Sequence, residues 1–401
     1  MRIKKRQQKV LVGACLMQCA MMGILVNCSG VLFAQIRLDT GIHMTEISAY
    51  NTLKSVTGTL LCAPVAGLFF RKNKALALLI NQALMCISYL LMTVHPGGLI
   101  WYMSSILAGV SGCLGIVAIP SILSQVFPES PGTPTGFAMA FSGIGGAIFN
   151  PLCARLVTDI GWRAAIWILC LADMFFAITG IQLIGSVGTE QPNSNISQKN
   201  NFQCGGYDWK RCILVSIVLI GSSIGLQLAI NLSIFAQSIG YSLQVGATLT
   251  TMLMLGNVTG KFVYGYLSDR IGVWKTTAIG LTCVLIGALL FLLQSELLGI
   301  LHFAALLFGN IYALSTISIS RCCMAAYGEV QFSRYIGIHS GINQAVMAAA
   351  SIAAGVILDE SGSFSSILVF ILIAAVPSFV SMWFLNQTGT DTHTKQKKSI
   401  P

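Results

Sequence analysis

The feature that most constrains this chain is the recurrence of unbroken apolar runs about as long as a bilayer is thick. A helix rising about 1.5 Å per residue needs roughly 20 apolar residues to cross a hydrocarbon core of about 30 Å. Twelve such stretches can be marked off, over 10–34, 48–70, 75–94, 98–126, 135–157, 164–185, 211–236, 244–267, 275–294, 299–322, 335–357 and 364–386, numbered here as expected helices 1 to 12. The runs are continuous rather than alternating, so helices are expected and not the strands of a barrel. Composition agrees, because only 9% of the residues are charged and 55% are hydrophobic, against roughly 25% charged in soluble domains. The expected fold class is all-α and integral to the membrane, a multi-pass chain whose largest partner is the lipid bilayer.

The net charge of +10 does not indicate nucleic acid, since the basic residues form short clusters between apolar runs, with no basic stripe. They follow the rule that Lys and Arg stay on the cytoplasmic side in short loops. With the N-terminus inside, eighteen lie on the cytoplasmic side and three, Arg37, Arg155 and Arg163, on the outer side; Lys54 and Lys261 fall within the membrane and complete the 23. Both termini are therefore expected in the cytoplasm, in the cell membrane. The basic N-terminus before residues 10–34 has a signal-like start, but the run exceeds an h-region of about 7–15 residues and is read as an uncleaved first helix. Most of the 13 cysteines, including Cys15, Cys62, Cys86, Cys170 and Cys283, lie inside apolar runs, where they serve as small lipid-compatible side chains. No metal spacing is present.

The longest polar stretch, Ser186 to Trp209, reads as a cytoplasmic linker between two six-helix halves. Expected boundaries are 1–185 for the first bundle, 186–210 for the linker, 211–390 for the second bundle and 391–401 for a cytoplasmic tail. The halves echo one another: Asp159 at the end of helix 5 and Asp359 at the end of helix 11 are offset by 200 residues, and Gly67 and Gly265 by 198. Such duplication, giving two pseudo-symmetric bundles, is a recurring plan of secondary transporters.

Between helices 8 and 9 stands Gly265-Tyr-Leu-Ser-Asp269-Arg270-Ile-Gly272-Val-Trp-Lys275. It resembles the G-x-L-[AS]-D-R-x-G-x-x-[KR] signature of the major facilitator superfamily, at the position where that family carries it. Gly265 is expected to let two helices approach closely, and Asp269 to cap the next helix or pair with a cation, so that Gly265, Asp269, Arg270 and Gly272 form a gating latch. The first-half copy, Gly67-Leu-Phe-Phe-Arg71-Lys72-Asn-Lys74, lacks the aspartate. Helix 5, Gly136 to Leu152 with Gly143, Gly145, Gly146, Asn150 and Pro151, is followed by Gly161-Trp162-Arg163; with Gly30-Val-Leu-Phe33 it is similar to the branch of oxalate:formate antiporters and monocarboxylate transporters.

Lys261 lies eight residues before Asp269, roughly 12 Å into the membrane. An embedded ammonium by default marks the path of an ion or solute. The resemblance implies the same, because those carriers place an arginine at this position of helix 8 as countercharge for a carboxylate. Two departures qualify the match. Helix 11 offers only His339, Asn343 and Gln344 where oxalate:formate antiporters carry a second cation, and Asn257 stands where animal-type monocarboxylate carriers have an aspartate. Asn27, Gln227, Asn231, Asn257, Asn310, Asn343 and Gln344 are candidates, with Lys261, to line a hydrophilic solute site. Asp173, near the middle of helix 6, is the candidate proton carrier. The expected function is alternating-access transport of a small organic anion, a monocarboxylate; the alternative is proton-coupled transport of a neutral or cationic solute, drug-like compounds included. No enzyme constellation is present, and Gly256-x-x-x-Gly260-Lys261-Phe262 is one residue short of a phosphate loop, so neither a cofactor nor a nucleotide-binding domain is expected. The remaining expected partner is the small-molecule solute itself, carried by a monomer.

Overall fold

A computed structural model of the chain describes residues 5–71, 74–127, 132–185, 209–293 and 297–397. The described elements are all helical and form twelve membrane-spanning helices. We number them α1 (Lys5–Thr40), α2 (Met44–Arg71), α3 (Lys74–Val94), α4 (Gly98–Val126), α5 (Gly132–Ile160), α6 (Trp162–Ile184), α7 (Trp209–Ile230, continued by Leu232–Ser238), α8 (Leu243–Ile271), α9 (Val273–Leu292), α10 (Leu298–Tyr327), α11 (Gly341–Ser361) and α12 (Phe364–Lys397). Among the described residues nine of them are long and apolar enough to cross a membrane on length and composition alone; α2, α4 and α8, of 28, 29 and 29 residues, are also long enough to do so. The expected linker lies almost wholly outside the described residues, as do Lys72 and Asn73 of the first-half motif copy.

Two compact units result, one built on α1–α6 and the other on α7–α12 together with His43–Ser48, the first turn of α2 and its approach. Three irregularities interrupt the helices. Cys19–Ile24 of α1 is a π-helical turn, of the kind that often marks functional places. It lies where α1 crosses α5: a Cβ added at Gly145 would stand 2.7 Å from Cys19 Sγ and 2.9 Å from Gly23 Cα. α7 breaks at Asn231, which has φ −101° and ψ 16°.

The third irregularity concerns α10 and α11. Helical hydrogen bonding continues from Asn310 to Ser361, yet Tyr327 and Tyr335 stack at 3.8 Å between ring centroids, and Tyr327 Oη lies 2.9 Å from His339 Nε2. In a straight helix those residues would stand about 12 and 18 Å apart along the axis. The backbone therefore bends sharply between the two spans.

Each unit is pinned by aromatic packing. In the first, Phe33 of α1, Tyr50 of α2 and Trp101 of α4 meet with centroids 5.2–5.5 Å apart. In the second, Phe235 of α7 packs edge-on against Phe291 of α9 and Phe364 of α12, and Phe291 against Phe308 of α10. Such tilted and edge-to-face pairs each add about 1 kcal/mol beyond area burial.

Candidate functional site

α8 has 29 residues and rises about 43 Å. Lys261 sits ten residues before its end at Ile271, about 15 Å in. Its ammonium makes no hydrogen bond or ion pair with any described residue. Asn257, one turn earlier on the same face, is buried; among the described residues its Oδ1 has no partner and its Nδ2 has only Met254 Sδ at 4.0 Å.

The glycines flanking Asn257 explain how this face is built. A Cβ at Gly256 would lie 2.1 Å from Leu306 O, one at Gly309 would lie 2.2 Å from Leu253 O, and one at Gly260 would lie 2.6 Å from Asn310 Oδ1. Gly256-x-x-x-Gly260 is thus a small-residue crossing of α8 with α10. It brings Asn310 against the turn that carries Lys261, while Asn310 Nδ2 donates to Leu307 O at 2.9 Å.

The other expected polar residues of this unit form a separate group on α7 and α11. Gln227 Nε2 donates to Met347 O at 3.2 Å, Asn231 Nδ2 donates to Gln227 O at 2.8 Å, and Ser223 Oγ donates to Asn343 Oδ1. Asn231 Oδ1 is buried without a partner among the described residues, at the break in α7. Gln344 is half-buried on the next position of α11. No hydrogen bond between described residues joins this group to Lys261. Asn27 belongs to the first unit, where its Nδ2 donates to Ser142 O at 2.7 Å.

In the first unit, Asp173 of α6 is fully buried and accepts from Gln82 Nε2 of α3. Lys54 stands further into its helix than expected: α2 begins at Met44 rather than at residue 48, so Lys54 is ten residues, nearly three turns, from its start. It too has no hydrogen bond or ion pair with a described residue. Gly109 of α4 packs against its backbone, since a Cβ at that glycine would fall 2.6 Å from Lys54 O.

The signature between α8 and α9 resolves into separate roles. Arg321 Nη1 donates to Asp269 Oδ1 at 2.7 Å, an exposed pair, so the aspartate pairs with a cation rather than capping α9. Arg270 lies over the Tyr266 ring at 4.7 Å. Gly272 has φ +90°, a conformation that favours glycine, and starts α9. At Gly265, where the sequence expectation places a close helix approach, a Cβ would meet no described residue within 4 Å. Among the described residues the close approaches of α8 are at Gly256 and Gly260, further back along the helix.

Three features escaped sequence reasoning. Asp359, noted only as an internal echo, accepts from Met44 N at 3.0 Å and Thr45 N at 2.8 Å, and also from Thr45 Oγ1, so it caps the first turn of α2. A Cβ at Gly355 would lie 2.5 Å from Ser48 Oγ, showing how closely that turn is held. His339 is buried between Ser216 Oγ at 3.2 Å and Tyr327 Oη. The Gln82–Asp173 pair is the third, invisible until α3 and α6 are side by side.

Comparison with known proteins agrees with this architecture. The profile of the Major Facilitator Superfamily matches residues 14–204 and 212–400. The "Probable transporter MCH2" of Saccharomyces cerevisiae is 24% identical over 186 residues, 44% of this chain and 38% of that protein. The "Uncharacterized MFS-type transporter YhjX" of Escherichia coli is 24% identical over 227 residues, 54% of this chain and 55% of that protein. The chain thus matches about half or less of the length of these curated relatives. In fold it is similar to the nucleoside transporter NupG (TM-score 0.71, 11% identity, 94% of this chain and 98% of that one). It is equally similar to a bacterial homologue of the human lysosomal transporter Spinster (TM-score 0.71, 13% identity, 96% and 98%).

Proposed function

The chain belongs to the Major Facilitator Superfamily, and on that premise we propose that it is a secondary active transporter of a small organic anion, a monocarboxylate, working by alternating access. The observation that carries this reading is Lys261, an ammonium within a transmembrane helix that no described carboxylate neutralises. Holding such a charge in hydrocarbon costs about 3 kcal/mol on insertion scales. A bound carboxylate would offset that cost with a charge-assisted hydrogen bond of about 1.5–3 kcal/mol.

Asn257 and Asn310 flank Lys261 and supply amides that orient the rest of a small solute. A neutral solute would leave Lys261 uncompensated, which is why an anion is favoured over the nucleoside-type cargo of NupG. With a single cation on this face, a monocarboxylate fits better than a dicarboxylate. The protein sits in the cell membrane with both termini cytoplasmic, and the Asp269–Arg321 pair serves as a latch on that side.

The test is uptake of labelled formate, lactate, pyruvate and oxalate into proteoliposomes holding the wild type or Lys261→Gln. A monocarboxylate taken up by the wild type and lost in the variant is expected. Equal uptake by both refutes the role of Lys261.

A further inference from the structure

The first unit buries a carboxyl group that the transport reading does not use. Asp173 of α6 has no exposed surface, and Gln82 of α3 has none either. Gln82 Nε2 donates to Asp173 Oδ2. The other oxygen of each group, Asp173 Oδ1 and Gln82 Oε1, is buried with no hydrogen-bond partner among the described residues. Two side chains already joined by one hydrogen bond, each with one acceptor left over, lack only a single proton between them. If Oδ1 carries that proton, it donates to Oε1, and the two groups close a ring of two hydrogen bonds in which no acceptor stays unsatisfied.

The surroundings favour the neutral form. Cys86 of α3 has Sγ 3.5 Å from Asp173 Oδ2. Cys86 and Cys170 each contact the other's backbone carbonyl at 3.8 Å, and Cys19 of the π-turn in α1 is close enough to feel the charge on Asp173. Among the described residues, Cys86 of α3 and Cys19 of α1 are the titratable groups facing it. None of its partners among the described residues is a lysine or arginine. A lone carboxylate buried among thiols, an amide and apolar side chains is far costlier than the acid.

We propose that Asp173 and Gln82 form a resident proton site, a neutral acid–amide pair that ties α3 to α6 and keeps its proton throughout transport. The ligand is a single proton. Both side chains are closed off from solvent, so the proton is not exchanged with solute and coupling falls to other groups. The pair stands independently of whether the cargo is an anion.

Infrared spectroscopy of the full-length protein in nanodiscs tests this. A carboxylic-acid C=O band is expected that is absent from Asp173→Asn, shifts in Gln82→Leu, and holds its intensity from neutral to strongly alkaline pH. Asp173→Asn rebuilds the ring as an amide–amide pair, so its thermal midpoint is expected near that of the wild type, with Asp173→Leu clearly below both. A band missing from the wild type means the group is ionised, and a band that titrates near neutral pH means an exchangeable coupling site; either result overturns the proposal. A midpoint for Asp173→Asn as low as that for Asp173→Leu overturns the ring.

Discussion

Two glycines nine residues apart on α8 are predicted to respond to the same substitution with opposite sign. At Gly256 an alanine methyl would fall 2.1 Å from Leu306 O and 3.0 Å from Gly309 Cα. Both are backbone atoms, so no side-chain rotation relieves the clash, and α8 and α10 must separate by about an ångström. Overpacking of this kind costs about 1–3 kcal/mol, here toward the upper end, and is offset by about 1 kcal/mol of helix propensity gained from replacing glycine. The net expectation is a loss of about 2 kcal/mol. At Gly265 the methyl meets no described residue within 4 Å, so only the propensity gain of up to about 1 kcal/mol is expected. Thermal unfolding of the purified protein, followed by a thiol-independent probe because many buried cysteines are free, should place Gly256→Ala below the wild type and Gly265→Ala at or above it. If Gly256→Ala proves neutral, or if both variants fall together, the crossing of α8 and α10 is not as described.

Two further perturbations follow from the same geometry. Asp269→Asn breaks the pair with Arg321, but both side chains are largely exposed, so the stability change should stay below about 1 kcal/mol; solute flux should fall by more than that loss explains, and unchanged flux refutes a latch. Asp359→Ala leaves the Met44 and Thr45 amides without their cap, an effect of about 1 kcal/mol, and should raise the rate at which a cysteine placed at Thr45 is labelled by a membrane-impermeant thiol reagent.

Much of the fold was legible in the sequence because lipid allows few alternatives. A spanning segment must satisfy its own backbone, so an apolar run of the right length is already a helix. The expected 75–94 and 98–126 correspond to Lys74–Val94 and Gly98–Val126. What hydropathy does not report is a break within a run: 211–236 reads as continuous, whereas α7 breaks at Asn231. The site divides in the same way. Lys261 declares itself as a charge among apolar neighbours, but its surroundings depend on which helix faces meet. Gly256 and Gly265 look alike in sequence, and only the position of α10 makes the first a contact, whereas the second meets no described residue. Asp359 caps a turn more than 300 residues away, a pairing that no local pattern encodes.

The central claim is that Lys261 supplies the countercharge for a carboxylate, and equilibrium binding tests it without assumptions about coupling or direction. Titration of the transported monocarboxylate into purified wild type, Lys261→Arg and Lys261→Gln measures the contribution of that charge. Loss of a charge-assisted hydrogen bond of about 1.5–3 kcal/mol corresponds to roughly a 10- to 150-fold weaker Kd at about 1.4 kcal/mol per decade. Lys261→Gln is therefore predicted to bind at least tenfold more weakly, with Lys261→Arg between it and the wild type. Equal affinity in Lys261→Gln and the wild type would contradict the claim.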